Sequence, residues 1–133
     1  MIRPFEPSDV RRLKPNDFCK DRDMSDVFND PEFYKFSLVD DSDVLCIMAF
    51  KKYWGDCWMT CSLMSEDIKP VHAKQLKKFL HTVINDFGMQ RMQTYDLDCA
   101  FLNRWHLWLG FTLEGVCKKM IFNKDYCTWA VVK

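Results

Sequence analysis

Glycine is scarce in this chain, four residues in 133. None of the four lies between Ser65 and Leu76, where an apolar strand hands over to an amphipathic helix. A strand-to-helix junction of this kind can hold a phosphate on the helix N-terminus. It does so through a glycine loop, because only bare backbone can approach the ligand with its N–H groups pointing inward. Other absences bound the function further. No apolar run approaches the ~20 residues of a membrane span, and no membrane association is expected. Positive and negative charges balance at a net of zero, so no whole-chain field draws nucleic acid or an anionic surface. No repeat or low-complexity tract is present. There is no Cys-x-x-Cys pair of the sort that announces a zinc site. The opening MIRPFEPSDV is polar and carries two prolines, which is not the pattern of a secretory leader.

What is present suits a packed core: 48% apolar and 15% aromatic residues, in a length typical of one domain. The seven cysteines are odd in number, at 19, 46, 57, 61, 99, 117 and 127. Most sit inside apolar runs, as Cys46 does in VLCIMAF, and read as reduced, buried hydrophobes in a cytosolic compartment. Cys57 and Cys61 share one face of a strand. Together with Cys99 or His72 they could be drawn as metal ligands, but core packing is the stronger reading. Cys99 near a helix start could carry a lowered pKa, yet a nucleophile needs a base beside it and none is recognisable.

Hydrophobic periodicity divides the chain. Ile2-Arg3-Pro4 reads as a short strand, and Pro7-Ser8-Asp9 opens a helix that turns Val10 and Leu13 to the core and stops at Pro15. A second short helix carries Met24, Val27 and Phe28 before Pro31. Phe33 to Val39, Val44 to Phe50 and Cys57 to Met64 form a meander, its middle run suited to burial on both faces. Pro70 to Phe87 is the clearest helix, with Leu76, Phe79, Leu80, Val83, Ile84 and Phe87 in one stripe and Gly88 past its end. A strand at about 90 to 95 follows. Asp98 opens a helix with Phe101, Leu102, Trp105 and Leu109 on one face, capped by Gly110. Two strands, Leu113 to Phe122 and Tyr126 to Val132, flank the turn Asn123-Lys124-Asp125. The crossover helix requires the strands near Met64 and Met92 to be parallel if they share a sheet.

This order, with IRPFEPSDV at the start and FLNRWHLWLGF ending on Gly110-Phe111, resembles the GNAT N-acetyltransferase superfamily over nearly the whole chain. The segments GDCWMTCSLMS and AKQLKKFLHTVI are similar to the GNAT-like internal virion protein A family of short-tailed bacteriophages. The resemblance implies one GNAT-like α/β domain over residues 1–133, with a mixed, mostly antiparallel sheet splayed at the parallel pair and flanked by helices. It places acetyl-CoA against Leu63, Met64, Lys69, His72 and Lys74, with His106 where many GNAT enzymes carry a tyrosine acid. It also marks departures. Lys69-Pro70-Val71-His72-Ala73-Lys74 stands where the family has a Gln/Arg-x-x-Gly-x-Gly/Ala loop, and Cys99 stands where an asparagine often opens the later helix.

Two readings follow. One is a non-catalytic GNAT-fold phage protein that acts in virion assembly or on a host protein, in the host cytoplasm or the virion, with no cofactor. The other is an acetyl-CoA-dependent N-acetyltransferase with an atypical loop. Lys69, Lys74, Lys77 and Lys78 are either an anion site or a solvated helix face. His106 is either an acid–base group or a histidine on the outer side of a packed helix. Trp54, beside Lys51, Lys52 and Tyr53, reads as an exposed tip for a phage or host protein, a partner favoured over nucleic acid by the zero net charge.

Overall fold

A computed structural model describes residues 1–133. In chain order the elements are β1 (Ile2–Pro4), α1 (Asp9–Arg12), α2 (Ser25–Asn29), β2 (Tyr34–Asp40), β3 (Asp43–Trp54), β4 (Cys57–Met64), α3 (Pro70–Asp86), β5 (Arg91–Leu97), α4 (Ala100–Leu109), β6 (Thr112–Ile121) and β7 (Lys124–Val132). This is the order the periodicity predicts. Hydrogen bonding joins the strands in the order β1-β2-β3-β4-β5-β7-β6. Pairs β1–β2, β2–β3, β5–β7 and β6–β7 are antiparallel, and β4–β5 is parallel. Two compact units are distinguished: Met1–Lys51 with Thr60–Thr82, and Lys52–Met59 with Val83–Lys133.

In the first unit, Val44 to Phe50 on β3 is buried throughout, as a strand covered on both faces must be. Leu76 and Leu80 of α3 are buried, and Phe79 meets Phe36 edge-on at 5.0 Å. Each such apolar side chain removed from water contributes on the order of 2 kcal/mol. The short helix α1 departs from expectation. Val10 is exposed, and the fully buried residue is Asp9. With only four residues, α1 has too few turns for an apolar stripe to fix its orientation. Its position is fixed by charge. Asp9 takes two hydrogen bonds from the Arg3 guanidinium at 2.8 and 2.9 Å, the Glu6 amide at 2.9 Å and the Ser37 hydroxyl at 2.7 Å. A buried carboxylate is tolerable only with partners of this kind. In α2, Val27 and Phe28 are half-buried, not core.

In the second unit, β4 and β5 pair over three residues only: Cys57 with Arg91, Trp58 with Met92 and Met59 with Gln93. Both strands continue past that point, to Met64 and Leu97. Trp58 stacks on Phe87 at 5.3 Å. Helix α4 begins after Cys99, one residue later than Asp98 would place it, and ends on Gly110 at φ 102°. That left-handed residue lets the amides of Gly110 and Phe111 reach back to Leu107 and His106 carbonyls. The buried face of α4 is Leu102, His106 and Leu109, while Phe101 is exposed. The β6–β7 turn is Phe122-Asn123, with Ile121 paired to Lys124, not the Asn123-Lys124-Asp125 that composition suggests.

Burial alone would raise the Asp9 pKa. The hydrogen bonds from Arg3, Glu6 and Ser37 outweigh it and bring the value down to about 2. A carboxylate depressed on folding contributes stability above its unfolded pKa of about 4, and the contribution is lost as pH falls toward about 2. Equilibrium unfolding in urea is therefore expected to show stability falling across that window. Asp9→Asn should cost about 3 kcal/mol at pH 7 and flatten the dependence; a variant as acid-sensitive as wild type would contradict the assignment.

Candidate functional site

The junction between β4 and α3 is built from main chain that this sequence has already used. The Ser65 amide donates to the Leu45 carbonyl at 2.8 Å, across to β3. Alternation along the strand turns the neighbouring groups to the opposite edge. There the Met64 carbonyl accepts from the Asn16 amide at 2.9 Å, and the Glu66 amide donates to the Lys14 carbonyl at 2.9 Å, around a Pro15–Ser65 bridge. The Ser62 carbonyl accepts from the Arg22 guanidinium at 3.3 Å. Lys14, Asn16 and Arg22 thus take up the edge of the end of β4 that faces away from β3. The Leu63 and Met64 side chains are buried in the core.

The first turn of α3 closes on itself. An α-helix begins with amides that have no intrahelical acceptor. Here Pro70 has no N–H, the Ala73 amide reaches the Lys69 carbonyl at 3.0 Å, and the Lys69 amide donates to His72 Nδ1 at 3.1 Å. His72 sits three residues after Lys69, where a capping-box side chain reaches back to the residue before the helix. His72 is buried, and its Nε2 lies 3.1 Å from Asp40 Oδ2. Because Nδ1 accepts, the neutral ring carries its proton on Nε2 and donates it to Asp40. Only the amides of Val71 and His72 are left in the turn. Lys69 and Lys74 are exposed beside it, against the sense of the helix dipole.

A coenzyme A pyrophosphate does not fit this turn. Such a group asks for a run of inward-pointing amides. One of the donors is missing at Pro70, another is consumed at Lys69, and a buried imidazole stands where the backbone should be bare. Of the residues expected at a cofactor, Leu63 and Met64 end β4 with their side chains buried, Lys69 precedes α3, and His72 and Lys74 lie in its first turns. Asn16, Arg22 and Asp40 also belong to this junction and are not marked as such by the sequence. The first two are remote in sequence and carry no local signal. Asp40 is visible only once His72 is recognised as the capping residue.

His106 belongs to the second unit. Of the two readings of His106, the one that places it on the outer side of the helix is corrected, because its ring is buried against Trp129 at 5.3 Å and Phe111 at 5.6 Å. His106 Nε2 lies 3.2 Å from Asp96 Oδ2, while His106 Nδ1 and Trp129 Nε1 are buried with no hydrogen-bond partner.

The cysteines are all free. Cys57, Cys61 and Cys99 are half-buried, not core, and burial pushes the Cys61 thiol up to about 11. No group of three or more His, Cys, Asp or Glu side chains could hold a metal. At the end of β3, Trp54 is 67% exposed and meets Tyr53 edge-on at 5.8 Å. Lys51 is not part of that display, since it is tied to Asp30 at 2.9 Å and Glu32 at 3.2 Å. No helix is long and apolar enough to cross a membrane.

No family model matches the chain, and no curated protein is similar to it in sequence. Its backbone is similar to solved acetyltransferases. The ribosomal-protein-S18-alanine N-acetyltransferase from Escherichia coli superposes with a TM-score of 0.79 at 12% identity, over 99% of this chain and 92% of that one. A variant spermidine N-acetyltransferase from Vibrio cholerae gives 0.75 at 11% identity, over 99% and 94%. A GNAT-family acetyltransferase from Bacillus anthracis gives 0.68 at 16%, over 98% and 93%. Likeness at such identities carries the fold and not the activity: the chain has the GNAT, or acyl-CoA N-acyltransferase, fold.

Proposed function

We propose that this chain is a GNAT-fold protein that does not transfer acetyl groups and works by contact with another protein. In keeping with the resemblance of GDCWMTCSLMS and AKQLKKFLHTVI to the internal virion protein A family, its setting is a bacteriophage. Its role is in virion assembly or on a host protein, in the host cytoplasm or the particle. One observation supports the reading: along the end of β4 and the start of α3, the Ser62 and Met64 carbonyls and the Glu66, Lys69 and Ala73 amides are bonded to the chain's own groups, and only the Val71 and His72 amides are left. Asn16, Lys14 and Arg22 occupy the edge of β4, and His72 occupies the start of α3.

A second reading, an acetyl-CoA-dependent N-acetyltransferase with an atypical loop, draws support from the fold and from the placement of Lys69 and Lys74 beside the two remaining amides. The two readings differ in calorimetry. The non-catalytic reading expects acetyl-CoA to bind no tighter than about 1 mM. Micromolar binding that collapses in Lys69→Ala or Lys74→Ala would overturn it. Acetyl transfer lost in His106→Phe would establish the enzyme.

The closed turn makes its own prediction. His72→Ala should lower stability in urea unfolding by about 1–2 kcal/mol, through loss of the Lys69 cap and the Asp40 bond. A change within about 0.5 kcal/mol, the range of ordinary surface substitutions, would show that the imidazole does not hold the turn.

A further inference from the structure

The β6–β7 hairpin turns on Phe122 and Asn123, at φ 50° and 60°. A two-residue turn with both central residues left-handed is of the I′ kind, which favours Asn, Asp or Gly at both positions. Asn123 conforms and Phe122 does not. A bulky side chain at positive φ is sterically costly, and such a cost persists only where something offsets it. Packing of its own ring offers no such offset: Phe122 is 88% exposed, more than any other large apolar side chain of the molecule. The same hairpin exposes Met120 at 44%. Around them stand Lys118, Lys119 and Lys124, all exposed. Asp125, the one carboxylate next to the turn, is held by Lys118 Nζ at 3.0 Å and the Lys119 amide at 3.0 Å, and the hairpin's other carboxylate, Glu114, is bound to Arg91, so Lys119 and Lys124 supply the positive charge of the tip. The tip therefore presents an aromatic ring and a thioether inside a positive rim.

We propose that the β6–β7 tip is a docking element, with Phe122 the anchor, for a protein partner that offers an apolar pocket rimmed by carboxylates. The proposal rests on the reading of this chain as a protein that works by contact, and names the surface and the partner's chemistry. The strain at Phe122 is offset in the complex, where its ring is buried, and the lysines meet the rim. Charge complementarity selects the partner. A bilayer would gain little from one phenylalanine and one methionine, and with a net charge of zero the chain has no long-range field to draw nucleic acid to the tip.

The test is a random peptide library selected on the full-length chain and counter-selected on Phe122→Asn. Enriched peptides are expected to carry an apolar centre flanked by Asp or Glu. Synthesised, they should bind the wild type with an affinity that falls with salt, and Phe122→Asn about tenfold or more weakly. The same variant should melt about 2–4 °C higher, because the turn is relieved. That rise separates lost docking from lost folding. Peptides without acidic flanks, or peptides that bind both proteins equally, would overturn the proposal. So would Phe122-dependent binding to phosphatidylcholine–phosphatidylglycerol vesicles or to oligo(dT). Acetyl-CoA binding would defeat the non-catalytic reading and leave this result standing; equal peptide binding would do the reverse.

Discussion

One hydrogen bond governs how this fold can be used: the Lys69 amide donating to Nδ1 of a buried histidine three residues on. The start of a long helix is an anion site by default, since its first amides have no other acceptor. A side chain that supplies the acceptor from within removes that default. His72 does so while its other nitrogen is fixed on Asp40, so the ring cannot swing away without losing both bonds. Pro70 removes a further donor. The neighbouring edge of β4 follows the same logic, with the Met64 carbonyl and Glu66 amide satisfied by residues 16 and 14. Buried or half-buried backbone groups must find partners. In this chain the partners are its own.

Both compact units rely on polar groups at places where the sequence pattern suggests apolar packing. In the first, Asp9 gathers Arg3, Ser37 and the Glu6 amide and so sets α1 in place. In the second, His106 lies between Asp96 and Trp129 under α4. Such groups are costly to bury and costly to break once paired. Asp9 fixes a helix with little apolar face of its own, whereas His106 joins a face already made by Leu102 and Leu109.

Much of the fold is legible in the sequence. The α3 stripe, the continuous apolar run of β3 and the glycines at both helix ends each announce themselves, and together they imply the crossover that makes β4 and β5 parallel. What is not legible depends on distant partners. Val10 looks like a core residue until Arg3 and Ser37 are seen to draw Asp9 inward. His106 falls on the buried face of α4 because Asp96 is there to meet it, while Phe101, which belongs to the apolar set by type, is left outside. The β6–β7 turn is displaced by one residue because Phe122 occupies a position that turn chemistry assigns to Asn or Gly. Of the site, the missing glycines and the misplaced His72 are readable directly. The cover that Lys14, Asn16 and Arg22 lay on the edge of β4 is not, since nothing in that polar stretch points to a strand some fifty residues away.

A non-catalytic role requires that the start of α3 be closed to ligand. The most direct measurement is an amide-resolved ¹H–¹⁵N titration of the protein with acetyl-CoA, following Lys69, Val71, His72, Ala73 and Lys74. A closed turn predicts that these five resonances stay where they are as acetyl-CoA is raised to millimolar concentration, with the His72 ring held in its Nε2–H form. Saturable shifts of the same amides, accompanied by release of the ring from Lys69, would contradict it.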